Sequence, residues 1–370
     1  MSKHLVLVGG GHAHMVTLAN IHGFLGKGYR VSVIGPSEYH YYSGMGPGML
    51  GATYTPEDIR FATRHLVEKQ GGTFILGKAV SVDPADKTVT LESGDAIPYD
   101  IISFNAGSYV PRLNLPENVD NIYAVKPIER LLEAREKLLS MMSQKAVVIG
   151  IVGGGPSAAE VAGNLWQLAR KSGKCMPSIQ IFAGTRFMSR FPDNVRQKVQ
   201  RSLTRRGIEI STAGYVKSIE TGTLTLTSGQ QHALDFIFLA LGVKPNPIFT
   251  ESGLPTGPDG GLRVNQFLQC TSHPEIFGGG DCVYFAPHPL DKVGVYAVRE
   301  NPVLHHNLMA AMAGERLQPF DPGGDYLLIF NLGGGEGVLQ KRWLRLGGKI
   351  AFLIKDVIDR RFMKSFQTLE

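Results

Sequence analysis

Cysteine is scarce in this chain: Cys175, Cys270 and Cys282 are the only three in 370 residues, and none falls in a C-x-x-C pair or at a metal-ligand spacing. That scarcity excludes a disulfide framework, structural zinc, a c-type haem and a paired-thiol relay, and it points to a reducing compartment, the cytoplasm. Long apolar runs are missing too. Nothing approaches the ~20 residues of a membrane-spanning helix, and no apolar leader precedes the first predicted strand, so the chain is expected neither to be secreted nor to span a membrane. Charge of one sign is not concentrated: the net charge is +6, but the bases are scattered and no nucleic-acid motif gathers them. Nucleic acid is therefore not expected as a partner, and anionic ligands or lipid headgroups fit better. The histidines at His12-x-His14 and His305-His306 lack further ligands nearby in sequence, so no metal is expected.

What the chain has in quantity is glycine, 45 residues, against 43% hydrophobic and 19% charged residues. This composition suits a soluble α/β protein of two or three domains with many tight loops. Leu5 to Val8 form an apolar run long enough for a buried strand, and Gly9-Gly10-Gly11 turn it into a helix predicted from about His12. Gly9 serves the tight turn, Gly11 lets the backbone approach a pyrophosphate, and the helix N-terminus attracts the negative charge. His14 stands where the pattern has its third glycine, so the helix is expected to sit farther from its strand or to lean. The device recurs at Ile149–Glu160, where Gly153 and Gly155 repeat the roles of Gly9 and Gly11 and Ala158 takes the third place.

After the first helix, Tyr29–Ile34 reads as the second strand of a βαβ unit, ending at Gly35 where a ribose-binding acid is usual; Ser37 or Glu38 is left to reach a ribose. Tyr39 to Met49 is an aromatic, glycine-rich loop suited to walling a flat ring, or simply packing its aromatics inward. Phe74–Val82 and Thr88–Leu91 are predicted to form a hairpin around Asp83–Asp86, and Tyr99–Phe104 another strand ending in small residues at Asn105–Ser108. Lys126–Glu129 opens a helix to about Met142. Pro156–Ala169 is a strong helix with Glu160 in its second turn, placed for the helix dipole or for a cofactor ring. Strand Ser178–Phe182 again ends without an acid, at Ala183, and Arg186 just behind leaves room for a 2′-phosphate. Phe236–Gly242 repeats the strand-then-glycine pattern of Ile101–Gly107. A strand then delivers Asp281 after three glycines, followed by a helix from about Gly294 to Met312. The last helix, about Ile350 to Phe366, carries an apolar stripe of Ile354, Ile358, Phe362 and Phe366, flanked by Ile350, Leu353 and Val357. It is suited to docking on its own domain, to an interfacial membrane role or to dimerisation.

With both glycine loops, both strand-end glycines and the Gly-Asp281 element, the chain resembles the two-dinucleotide flavoproteins of the pyridine nucleotide-disulfide oxidoreductase superfamily over nearly its whole length. Gly153–Leu165 is similar to the nucleotide loop of type II NADH dehydrogenases. Gly9–His14, Tyr42–Pro47 and Lys355–Met363 are most similar to a dehydrogenase-like subgroup often fused to selenide, water dikinase. The resemblance implies two Rossmann-like domains plus a small α+β C-terminal domain: an FAD domain over 1–112 and 256–322, an NAD(P)H domain over 113–255, and residues 323–370. It implies FAD and nucleotide contacts at Gly9, Gly11, His12, Ala13, Ser37, Ser43, Met45, Pro47, Val80, Ala106, Gly107, Asp281, Gly153, Gly155, Ser157 and Gly242, with Glu160 near the nicotinamide as the catalytic residue. The implied activity passes electrons from NAD(P)H through FAD to a quinone or similar small-molecule acceptor, peripherally on a membrane. The quinone-site pattern is degraded to Val295-Tyr-Ala-Val-Arg-Glu300, and both ribose acids are missing. Two other readings therefore stand beside it: oxidation of a sulfur or selenium species, with Cys270 or Cys282 as the thiol, and a flavin- or nucleotide-binding sensor without turnover. A homodimer and an anionic membrane surface are the further partners expected.

Overall fold

The computed structural model describes residues 2–112, 115, 119–220 and 222–370. Its first sheet is parallel, in the order Ile276–Gly278, Ile101–Phe104, His4–Val8, Arg30–Gly35, Thr73–Leu76. The opening strand is central and all five of its residues are buried, which is why it reads as an apolar run and not as an alternation: both faces of a parallel sheet are covered. Val8 pairs in register with Ile34 and Phe104, so the first glycine loop leaves the carboxyl edge of the sheet, where open α/β sheets present ligands.

A second five-stranded parallel sheet repeats the plan, in the order Ile122–Ala124, Phe236–Leu239, Val148–Val152, Ser178–Phe182, Glu209–Ser211. Each sheet carries a three-stranded antiparallel ribbon at the same point of the chain order. These ribbons are Ala79–Asp83, Thr88–Leu91 and Ala96–Pro98 in the first unit, and Val216–Glu220, Thr223–Leu226 and Gln231–Ala233 in the second. The units differ in the source of one edge strand. Ile122–Ala124 precedes the second unit, whereas Ile276–Gly278 returns to the first only after the second has been traversed. The expected hairpin from Phe74 is divided: Thr73–Leu76 belongs to the parallel sheet and Gly77 N–H donates to Gly35 O at 2.9 Å. The ribbon starts only at Ala79.

Each sheet builds its own hydrophobic core. Met45, Met49, Leu50, Tyr54 and Phe61, from the aromatic loop and its continuation, pack into the core of the second unit together with Phe330, Leu332 and Met363. The C-terminal segment is a meander of Leu328–Asn331, Gly337–Lys341 and Leu344–Gly348 followed by helix Lys349–Gln367. This helix corrects the sequence reading. Its buried line is Ala351, Lys355, Asp359 and Met363, while Ile350, Leu353, Val357 and Ile358 are exposed, at 65%, 60%, 57% and 47%. Lys355 and Asp359 tolerate burial because they pair at 2.8 Å and Tyr42 O–H donates to Asp359 at 3.1 Å. Phe362 does pack inward, stacked on His12 at 5.2 Å, and Phe366 lies edge-on to Phe61.

Candidate functional site

One cavity of about 1640 Å³ lies between the two units and is lined by both glycine loops, the strand ends Asn105–Ser108 and Ala240–Val243, the aromatic loop, and residues of the C-terminal segment. It exceeds the few hundred to about 1,000 Å³ of an ordinary small-molecule pocket.

At the first loop Gly9 has φ +91°, and a Cβ there would lie 2.3 Å from Asn105 O; at Gly11 a Cβ would lie 2.1 Å from Asn105 Oδ1. The Asn105 side chain accepts from Ala13 N–H at 3.2 Å and donates to Gly279 O at 2.7 Å, tying loop, strand end and the Gly-Asp281 segment together. His14, in the third glycine's place, is fully buried and bridges Gly9 O at 2.7 Å and Ser103 Oγ at 2.8 Å. A hydrogen-bonded imidazole thus takes up the space between helix and sheet that a glycine would have closed.

Three buried polar atoms at this end of the cavity have no partner: His12 Nε2, His40 Nε2 and Thr63 Oγ1. Burial and the neighbouring imidazole push His12 down to about 3, and burial with Lys126 pushes His40 down to about 4, so both are neutral. Unpaired buried polar groups are costly, and a bound group rich in hydrogen-bonding atoms would satisfy them. This end of the cavity therefore fits a dinucleotide such as FAD.

Of the expected cofactor contacts, Gly9, Gly11, His12, Ser37, Ser43, Pro47, Ala106, Gly107 and Asp281 line the cavity. Ala13, Met45 and Val80 do not. Ala13 and Met45 are buried in the two cores, with the Ala13 N–H already given to Asn105; in place of Val80 the lining falls on Lys78 and Ala79. Glu38, the alternative to Ser37, is paired with Arg64 at 2.7 Å. Asp281 accepts from Ser108 Oγ and Lys126 Nζ, each at 2.8 Å. Burial alone would raise its carboxyl, but Lys126, Ser108 and Lys292 hold it below the usual range.

At the second loop Gly153 has φ +139° and a Cβ would lie 2.1 Å from Ala240 O, the same close approach as Gly9, whereas nothing lies within 4 Å of a Cβ on Gly155. Pro156 opens helix Pro156–Ser172, at the position where its missing N–H costs nothing. Gly153, Gly155, Ser157, Glu160 and Gly242 all line the cavity. Glu160 Oε1 accepts the Asn331 N–H at 2.8 Å. Burial pushes its carboxyl up to about 7, against the pull of Lys355 and the Asn331 N–H. Lys355 lines the cavity as well and acts electrostatically on Glu160, and Asp359 joins Lys355 to Tyr42 through hydrogen bonds, so polar groups from three distant parts of the sequence meet here.

The thiols stand apart. Cys270 and Cys282 are buried and absent from the lining, and burial pushes Cys282 up to about 12, so a relay through it would have no thiolate to use. Sequence reasoning missed Lys126, Lys355, Asp359 and Asn331. Lys126 was legible only as the start of a helix. Lys355 and Asp359 had a usable signal, an i, i+4 opposite-charge pair aligned with the small residue Ala351 and with Met363. Asn331 contributes its backbone and left no trace in sequence. Among the described residues there is no cluster of three metal-ligating side chains, and no helix is long and apolar enough to cross a membrane.

Residues 3–311 match the family model described as pyridine nucleotide-disulphide oxidoreductase. Demethylphylloquinone reductase NdbB of Synechocystis is 26% identical over 308 residues, covering 79% of this chain and 74% of that protein. Among solved structures, NDH2 of Plasmodium falciparum in complex with NADH superposes with a TM-score of 0.83 at 15% identity, covering 100% of this chain and 97% of that one. The sulfide:quinone oxidoreductase of Aquifex aeolicus superposes with a TM-score of 0.78 at 20% identity, covering 100% and 92%. At these identities the two structures establish a shared fold.

Proposed function

Because the chain belongs to the pyridine nucleotide-disulphide oxidoreductase family, we propose that it is an FAD-dependent oxidoreductase passing electrons from NAD(P)H to a quinone or similar acceptor. One observation carries this reading: two glycine loops of the dinucleotide type face a common cavity with Glu160 in its wall. Residues 1–112 and 256–322 are read as the flavin-binding unit, 113–255 as the nucleotide-binding unit and 323–370 as the acceptor-side segment. A flavin held here would supply two-electron chemistry, taking a hydride from the nicotinamide and releasing electrons to the acceptor.

The protein's own part is placement and proton handling. The backbone at Gly9–His12, Ser37 and the Ala106–Gly107 turn would hold the dinucleotide, and Asp281, fixed by Lys126 and Ser108, presents a charged acceptor to its hydroxyls. Gly155 leaves the approach to the second loop open for a nucleotide that arrives and leaves. Reduction of a quinone consumes protons, and a carboxyl at about 7 is suited to holding and releasing one at neutral pH. Lys355 of the C-terminal helix acts on Glu160 electrostatically and is tied through Asp359 to Tyr42 of the aromatic loop. Anaerobic NADPH or NADH should bleach the yellow protein. Rapid bleaching by sulfide, with neither nucleotide active, would overturn the reading.

The exposed apolar face of the C-terminal helix is read as the seat of an anionic membrane surface. Ile350, Leu353, Val357 and Ile358 lie beside Arg361 and Lys364, and Trp343, 83% exposed, stands at the turn of the preceding hairpin. Aromatic and apolar residues ringed by bases suit a headgroup boundary. Truncation would remove Lys355 and Asp359 from the core, so the test is Trp343→Gln with Leu353→Gln and Val357→Gln. The variant should keep its flavin and lose sedimentation with phosphatidylserine vesicles. A wild-type protein that ignores vesicles but dimerises through this face would overturn the membrane assignment.

A further inference from the structure

We infer that Glu300 is a positioning residue for the flavin: it fixes the Gly279–Gly280 peptide that leads into Asp281, and its charge, when ionised, opposes reduction of the bound group. The inference rests on the reading of Asp281 as a flavin contact. Strand Ile276–Gly278 runs through Gly279 and Gly280 to Asp281. A side chain has no room in this stretch. A Cβ on Gly279 would lie 2.8 Å from Ala13 Cβ and 3.1 Å from Glu300 Oε2, and one on Gly280, at φ +76°, 2.5 Å from Asn105 Nδ2. Glycine permits this close packing but leaves the backbone free to rotate, and two side chains from outside take that freedom away. Asn105 Nδ2 donates to Gly279 O at 2.7 Å, and Gly280 N–H donates to Glu300 Oε2 at 2.5 Å. Both backbone groups belong to one planar peptide unit, so the plane that leads into Asp281 is held at both ends.

An acceptor is all that the Gly280 N–H requires, and a neutral amide can supply one. The next residue of the same helix, Gly294–Ala313, does so: Asn301 Oδ1 accepts the Val16 N–H at 2.8 Å. Burying a carboxyl costs more than burying an amide, and Glu300 is 1% exposed, so its charge calls for a reason of its own. The ionisable groups around it are Asp281 and Cys282 on the turn, Lys292 ahead of the helix and, on the segment packed across the helix, His12 and His14. Both imidazoles are neutral and Cys282 holds its proton. Lys292 is paired with Asp259 at 2.9 Å, and Lys126 with Asp281 at 2.8 Å. Burial pushes the Glu300 carboxyl up to about 7, against the pull of the Gly280 N–H and Lys292 and with the push of Asp281. Glu300 therefore changes charge near neutrality, one peptide behind Asp281. A flavin bound there gains electrons on reduction, and the two events are linked: reduction favours the proton, and the proton favours reduction.

The test compares Glu300→Leu, which removes acceptor and charge, with Glu300→Gln, which keeps the acceptor. FAD release, followed by flavin fluorescence after dilution of the holoprotein, should be roughly 10-fold faster in the leucine variant and within about twofold of wild type in the glutamine variant. In an Asp281→Asn background, Glu300→Leu should add less than about twofold, because it acts through the same contact. In an anaerobic reduction titration against reference dyes, the flavin potentials of wild type and Glu300→Gln should agree at about pH 6. By about pH 8 the glutamine variant should be easier to reduce by roughly threefold to tenfold, about 15–30 mV for a two-electron couple. Unchanged FAD release in Glu300→Leu, or wild-type and Glu300→Gln potentials that run parallel across this pH range, would overturn the inference and leave the flavin reading intact. If Asp281→Asn retains FAD as the wild type does, that reading falls and the inference with it. Should the leucine variant not fold, Glu300→Gln decides through the potential alone.

Discussion

At the first glycine loop Asn105 fills the space in front of Gly11, whereas at the second the corresponding strand end is Ala240 and the space in front of Gly155 is open. The first glycine of each loop does the same work, clearing a neighbouring carbonyl at 2.3 Å for Gly9 and 2.1 Å for Gly153. Beyond that the units diverge. Asn105 ties the first loop to Ala13 and to Gly279, and the helix after it is broken into Met15–Ala19 and Ile21–Gly26. The second loop runs into an uninterrupted helix, Pro156–Ser172, which ends on Gly173 in the left-handed region. One motif thus builds two kinds of cradle. The first is cross-braced by a side chain and keyed to a distant segment, as suits a resident group, and the second is unobstructed, as suits a group that exchanges.

The strongest way to break this comparison is to place the same side chain in both loops. Gly9→Val would set a Cβ against backbone at a φ of +91°, a combination that costs several kcal/mol; soluble protein should be lost or recovered without flavin. Gly155 has φ −96°, open to any residue, so Gly155→Val should fold with full flavin content, yet slow anaerobic bleaching by NADPH by roughly 100-fold as its side chain blocks close approach. Equal damage from both variants would erase the distinction between a braced and an open loop.

Asn105→Ala sharpens it, because it converts the first strand end into the second. The Ala13 N–H and the Gly279 carbonyl would lose their buried partner, at a cost of about 1–3 kcal/mol. Thermal denaturation should show that loss, together with faster flavin release on dilution; an unchanged flavin off-rate would show that the brace is not what retains the group.

The smallest effects are in pH dependence, and the two loops should titrate in opposite directions. The His12 and His40 values near 3 and 4 lie below the ordinary 6.5, so the unfolded chain binds more protons and stability falls as pH drops from 6.5 toward 4, by up to about 1.4 kcal/mol per pH unit for each imidazole. His12→Phe with His40→Phe should flatten that limb of the denaturation profile. Glu160, raised to about 7 by burial, contributes stability that is full below about pH 4.5 and is lost as pH rises through 7. Glu160→Gln should remove that upper limb and, in turnover, abolish an ionisation near neutrality. A wild-type profile flat from pH 5 to 8 would contradict both assignments.

Both units were readable because each rests on local chemistry. An apolar run, a glycine turn and a helix start fall within a dozen residues, and strand Ser178–Phe182 and helix Gly294–Ala313 lie close to where the pattern put them. The doubled strand-then-glycine ends at Gly107 and Gly242 were likewise visible, as were most of the cavity-lining glycines. Val80 and Met45 were expected from the resemblance alone, and the cavity lining falls beside them, on Lys78 and Ala79 and on Ser43 and Pro47. Met45 turned toward the core of the other unit.

By itself, then, the amino-acid order determined the two parallel sheets, the positions of both loops and the presence of an amphipathic last helix, since turns, caps and apolar periodicity act between near neighbours. Only the tertiary structure decided which face of that helix is inside. Burial of Lys355 and Asp359 is tolerable because they pair with each other and because Tyr42, more than three hundred residues away, donates to Asp359, while Glu160 lies close enough to Lys355 to act on it. Those partners arrive through chain closure around a shared cavity. A charged residue's solvation is set by whatever the fold brings beside it, and no local pattern encodes that.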